Sequence, residues 1–171
     1  MFSIIERLCL MLRAAVSAVV VMLFAIMLVA VLVQVAGRYF LNFSISQAAE
    51  IATFCQIWLV LLGAGVTLAR GQHVAIDILP SKLSLVGARV ALVLIALVSA
   101  AFLVVLAYGS LPLLKMGQFQ TSPSLRIPMK YMYACLPVGA LYMIIELVLS
   151  VVQRWNDPFP PPKPETEEEA V

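Results

Sequence analysis

Four long apolar stretches restrict the fold of this chain more than any other feature. They cover residues 14–36, 47–69, 88–108 and 129–152. The first contains only Ser17 and Gln34 as polar side chains, and as a helix it would extend about 34 Å at about 1.5 Å per residue. Because the hydrocarbon core of a bilayer is about 30 Å thick, each stretch is predicted to be a membrane-spanning helix.

The composition agrees with an all-α integral membrane protein. The chain has 171 residues, of which 63% are hydrophobic and 12% charged, whereas soluble domains are about 45–50% apolar and about 25% charged. We therefore predict one four-helix membrane domain over residues 1–155. Residues 156–171 carry five prolines and four glutamates, and we expect a disordered tail there because so little apolar surface can be buried. The net charge of +2 gives no strong case for nucleic acid.

The third helix has two possible ends. Gly109 and Pro112 follow its apolar stretch. The helix is predicted either to end near residue 108 or to continue, kinked, to about residue 117, since proline is tolerated in membrane helices.

The placement of lysine and arginine predicts an orientation. One side of the membrane would hold Arg7, Arg13, Arg70, Lys82, Arg89, Arg154 and Lys163, and the other would hold Arg38, Lys115, Arg126 and Lys130. The positive-inside rule then puts both termini and the central loop, residues 70–87, in the cytoplasm. The loop at residues 118–128 would face the periplasm of a bacterial cell, or the outside.

Two acidic residues lie within the apolar stretches. Glu50 is about one turn into the second, and an ionised acid at mid-bilayer costs roughly 2.5–3.5 kcal/mol, less near the surface. A pair with Arg38 across the turn is the favoured role, ahead of a contact with a partner protein and of a proton-relay or substrate role. Glu146 lies near the cytoplasmic end of the last stretch, where Arg89 or Lys82 could neutralise it.

The other polar residues give little support for a catalytic or metal-binding function. A haem bundle needs two axial ligands and a zinc site three or four, so a single histidine, His73, makes either improbable. No catalytic arrangement or phosphate-binding loop is visible, and we predict a protein that is not an enzyme and has no cofactor. Arg70, His73 and Asp77 are predicted to fold the central loop on itself or to hold a docked partner. Gly63 and Thr67 share a helix face, where small residues allow close helix packing.

A series of residues resembles the small membrane subunit of TRAP transporters (tripartite ATP-independent periplasmic transporters), the DctQ family. The series is Ser46, Glu50, Trp58, Gly63-Ala64, Arg70, His73 and Asp77. Arg38-Tyr39-x-Leu41 after the first stretch and Ile127-Pro128-Met129 before the last also agree. The resemblance covers roughly residues 33–152. One departure is that Ile45, Ser46 and Gln47 stand where the family often has a tryptophan shortly before the acid.

The resemblance implies a division of labour in the bacterial inner membrane. A large membrane subunit carries the substrate and sodium sites, and a periplasmic binding protein transiently delivers an organic acid. The small subunit braces the large one and has no catalytic role. The candidates for structural or partner contacts are Arg38, Glu50, Trp58, Gly63, Thr67, Arg70, His73, Asp77, Arg126 and Pro128.

Two other functions are possible on the sequence alone. A small proton-coupled exporter working as a homodimer would use Glu50 as its proton site, although such exporters carry their acid in the first helix, where this chain has none. An electron-transfer anchor subunit would require bound haem.

Overall fold

A computed structural model of the chain describes residues 2–40, 42–70 and 85–155, and its architecture there is helical. The helices are α1 (Phe2–Phe40), α2 (Ser46–Ala69), α3 (Leu85–Met116), α4 (Lys130–Tyr133) and α5 (Cys135–Gln153). Four segments are long and apolar enough to cross a membrane, namely Cys9–Phe40, Ser46–Ala69, Val86–Met116 and Lys130–Gln153. The prediction of an all-α protein with four candidate membrane spans is thus confirmed for the described part of the chain.

The helix bounds differ from the apolar stretches at several ends. α1 begins at Phe2 rather than near residue 14, because charged residues near a membrane surface lower hydropathy without interrupting a helix. α3 continues through Pro112 to Met116, which is the longer of the two alternatives. The last span is divided at Ala134 into α4 and α5. Pro137 explains this division, since it has no N–H to donate to the carbonyl one turn earlier.

The helices pack in the order α1, α2, α5, α3. α5 packs against both α2 and α3, whereas α1 has close backbone contacts only with α2 among the described helices. Buried residues concentrate on α5: Cys135, Gly139, Ala140, Tyr142, Met143 and Glu146. Large apolar side chains on α1 and α3 are instead widely exposed, Val21 by 68% and Val98 by 71%. This exposure suits a lipid environment, where apolar side chains lose nothing by facing the acyl chains.

Two glycines allow α2 and α5 to approach closely. A Cβ on Gly65 would overlap the ring of Tyr142, and a Cβ on Gly139 would lie 2.8 Å from the Cβ of Leu61. Small residues at such points let helix backbones pack at short range in a membrane. Gly63 differs, because a Cβ built there meets no described atom within 4 Å.

These environments predict opposite outcomes for two alanine substitutions in one helix. Gly65→Ala should lower the free energy of unfolding by about 1–3 kcal/mol, because the new methyl group overpacks the contact with Tyr142. Gly63→Ala is the matched control and should leave stability unchanged or raise it by up to about 1 kcal/mol, since alanine favours the helix. Denaturation of the purified subunit in mild detergent measures both. Equal stabilities would contradict the α2–α5 contact.

Candidate functional site: two acidic residues in the membrane helices

Glu50 binds a loop that is distant in the sequence. Its Oε2 atom accepts hydrogen bonds from the backbone N–H groups of Ser124 at 2.9 Å and Leu125 at 2.8 Å. Ser122 is buried, and its hydroxyl lies beside the same carboxylate. Oε1 is also buried but makes no well-formed hydrogen bond with any described residue. We call Glu50 with the two amide groups the Glu50 clamp.

The loop held by this clamp is a compact hairpin between α3 and α4, here named the 117–130 hairpin. The Ser122 N–H donates to the Ile127 carbonyl at 2.9 Å, and the Met129 N–H donates to the Gln120 carbonyl at 2.9 Å. The Ser122 hydroxyl accepts the Ile127 N–H at 3.2 Å. At the base of the hairpin, the Lys130 N–H donates to the Gly117 carbonyl at 3.0 Å. The backbone is therefore tied at its base, along its sides and at its tip.

Arg126 occupies an unusual position near the tip of the hairpin. Its φ angle is 55°, in the left-handed region that non-glycine residues seldom adopt. Its N–H donates to the Ser122 carbonyl at 3.2 Å, and its side chain is exposed. Such a conformation persists when surrounding contacts determine it, and here the Glu50 clamp and the hairpin bonds supply those contacts.

The predicted pair between Glu50 and Arg38 is wrong. The clamp engages Oε2 of the carboxylate, and Arg38 lies exposed at the end of α1 with no ion pair to any described residue. The expected partner of Glu50 was a side-chain cation, whereas the loop provides two backbone N–H groups. Backbone donors leave no residue-type signature, so this contact has no signal in the sequence.

Glu146 is paired with the first helix. Its carboxylate is fully buried, and the Arg13 guanidinium binds it through Nη2 at 2.7 Å and Nε at 3.0 Å to Oε2. The expected pair between Glu146 and Arg89 is wrong. Arg89 donates from Nε to the Trp155 carbonyl at 3.1 Å and stacks over the Trp155 ring at 5.7 Å. Lys82 lies outside the described residues.

The Arg13–Glu146 pair links two helices that have no close backbone contact. Tyr142 is one turn before Glu146 on α5, and its buried hydroxyl makes no well-formed hydrogen bond with any described residue. In hydrocarbon, an ion pair with several hydrogen bonds satisfies groups that lipid cannot. The pair therefore fastens the amino-terminal half of α1 to the centre of the bundle.

The remaining candidate residues are spread over the molecule. Trp58 is half-buried on α2, and Arg70 is exposed immediately after it. The Thr67 hydroxyl donates to the Ala64 carbonyl at 2.8 Å. Pro128 forms the antiparallel bridge with Thr121 inside the hairpin. His73 and Asp77 lie outside the described residues.

The two acids of the described membrane spans form structural contacts. Within residues 2–40, 42–70 and 85–155, no group of three or more histidine, cysteine or acidic residues could hold a metal ion. Glu50 and Glu146, which are the acidic residues within the four candidate membrane spans, accept hydrogen bonds from their own chain. Each joins elements that are far apart in the sequence.

The fold and these contacts define a multi-pass helical membrane protein whose intramembrane acids are used internally. Comparison with family models makes the assignment more specific. The model for the DctQ component of tripartite ATP-independent periplasmic transporters matches residues 27–157. The chain belongs to this family, and the resemblance seen in its sequence is confirmed. A search of curated proteins finds no match to the chain.

The ion pair predicts an asymmetric response to substitution. Arg13→Met should lower the free energy of unfolding by about 3 kcal/mol, because a fully buried carboxylate is left without its partner. Glu146→Leu should cost less, since Arg13 is 23% exposed and its long side chain can reach the interface. Arg13→Met with Glu146→Leu should recover part of the loss. Denaturation in detergent measures all three variants, and additive losses would contradict the pair.

Proposed function

We propose that this chain is the small, non-catalytic membrane subunit of a TRAP transporter. It braces the large transport subunit during sodium-coupled uptake of an organic acid, which a periplasmic binding protein delivers. Membership of the DctQ family supports this role. The observation that carries the proposal is the use of both described intramembrane acids, Glu50 and Glu146, in internal contacts.

This use of acids bears directly on transport. Acidic residues that move ions or substrates in membrane proteins face a cavity or pathway. Glu146 is fully buried against Arg13, and Glu50 is occupied by the hairpin amides. Both contacts stiffen the bundle, which is what a brace requires. A proton-coupled exporter would need Glu50 to exchange protons with water, and the Glu50 clamp does not support that function.

The surface of α2 supports an attachment to another membrane helix. Gly63 lies on a part of α2 that no described atom approaches, and Gln56 on the same helix is exposed. An exposed amide in hydrocarbon is costly unless another chain satisfies it. In the proposed assembly, the large subunit covers this part of α2.

The proposed orientation places the 117–130 hairpin in the periplasm and both termini in the cytoplasm of a bacterial inner membrane. The support is the greater number of lysine and arginine residues on the side of the termini. In this orientation, the Glu50 clamp lies at the periplasmic surface and the Arg13–Glu146 pair towards the cytoplasm.

Deletion of this chain tests the role in uptake. With the large subunit and the binding protein retained, we expect uptake of labelled substrate by cells to fall to background. The chain alone in liposomes should move no solute, and the two membrane subunits should co-purify in mild detergent. Undiminished uptake after deletion, or transport by the isolated chain, would overturn the proposal.

Cysteine labelling tests the orientation. Arg126→Cys should react with a membrane-impermeant maleimide added to intact cells whose outer membrane has been permeabilised. Arg70→Cys, at the other end of α2, should react only after the inner membrane is opened. The unsubstituted protein gives the background from Cys9, Cys55 and Cys135. The reverse pattern of labelling would show that the proposed orientation is wrong.

A further inference from the structure

We propose that the 117–130 hairpin, held in place by the Glu50 clamp, is a preformed docking surface for an acidic face of the soluble periplasmic binding protein. The inference rests on the proposed function and adds to it a contact surface, the chemistry of the partner face and a role for Glu50. Glu50 acts here as a positioning residue, because it touches the hairpin and not the partner.

The first step of the argument is the sign of the charges at this end of the bundle. The described charged side chains there are Arg38, Glu50, Lys115, Arg126 and Lys130. Glu50 is the single acid among them, and two hairpin amides engage its carboxylate. Arg38, Lys115 and Arg126 are exposed. An approaching protein therefore meets a cationic surface, which attracts and orients a partner with an acidic face.

The second step is the fixed shape of the hairpin. Its backbone is closed by the Ser122–Ile127, Gln120–Met129 and Gly117–Lys130 hydrogen bonds. The Tyr133 hydroxyl also donates to the Gln120 side chain at 3.2 Å. A surface that is ordered before binding loses less conformational entropy when a partner docks. The left-handed backbone of Arg126 fits this reading, because strained residues cluster at functional surfaces.

The third step distinguishes a protein from lipid headgroups as the occupant. Anionic lipids attract exposed cations wherever they lie and require no particular backbone geometry. Here Glu50 holds the backbone amides of Ser124 and Leu125, so that the backbone of the neighbouring Arg126 has a defined position. Phe119, in the same hairpin, is 90% exposed. An exposed aromatic residue and an exposed arginine in one ordered hairpin are typical of protein interfaces, in which both residue types are enriched.

Substitutions at Arg126 test the surface directly. The protein is the complex of this chain with its large subunit in zwitterionic nanodiscs, and the probe is the transporter's purified soluble binding protein. Arg126→Asn removes the charge but tolerates the left-handed backbone, and we expect about 3–10-fold weaker binding. Arg126→Glu should weaken binding by about 10-fold or more, mainly by slowing association. Arg7→Gln removes one cation from the opposite end and should bind like the unsubstituted complex.

Glu50→Gln tests the positioning role separately. The neutral amide is a weaker acceptor for the two N–H groups. We therefore expect faster hydrogen exchange at residues 122–127 and weaker binding of the soluble protein, with Arg126 still present. Unchanged exchange together with unchanged binding would overturn the positioning role.

The remaining outcomes separate this inference from the proposed function. If Arg126→Glu binds the soluble protein as well as the unsubstituted complex does, the docking surface is wrong. It is also wrong if the substitution alters only the binding of anionic vesicles. Co-purification of the large subunit with the Arg126→Glu chain shows that the assembly persists, so that weaker binding then supports the hairpin as the surface. If the two membrane subunits never co-purify, even without substitutions, the proposed function fails first.

Discussion

The hydrocarbon core of a bilayer contains no water with which a polar side chain could form hydrogen bonds. This constraint explains the two contacts on which the structure depends. Glu146 is fully buried and is matched by the Arg13 guanidinium. Glu50 lies one turn into α2 and is matched by two backbone N–H groups of a distant loop. In each case the cost of an acid in hydrocarbon makes the contact hard to lose. An acid thus holds together elements that apolar packing would leave separable, because lipid competes equally for apolar faces.

Close packing and the two polar contacts stabilise different parts of the bundle. α5 packs tightly on α2 where Gly65 admits the Tyr142 ring, so shape alone secures this pair of helices. α1 has no such contact with α5 and reaches it through the long Arg13 side chain. At the other end of the bundle, the 117–130 hairpin rests on the start of α2 through Glu50. Electrostatic contacts therefore occur where the helices are too far apart for close packing.

The sequence allowed the helices to be predicted but not the partners of their polar residues. The four spans follow from hydropathy because membrane thickness fixes the length of an apolar stretch. The ends of α1 and the division at Ala134 were missed, since hydropathy does not report where a helix stops. Arg13 and Glu146 are 133 residues apart, and Glu50 and Ser124 are 74 apart. Pairing at such separations depends on how the helices assemble, and a single sequence does not encode it in any local pattern.

The position of Glu50 connects these structural observations with the family to which the chain belongs. A loop tied only by its own hydrogen bonds would move with the ends of α3 and α4. The clamp attaches the 117–130 hairpin to α2 as well, so the position of its tip is fixed relative to three helices. In the proposed bracing role, a fixed loop would keep its exposed cations in one place while the partner changes shape. A carboxylate placed one turn into α2 achieves this, because leaving the clamp would expose its charge near the membrane surface, where it is solvated less well than in water.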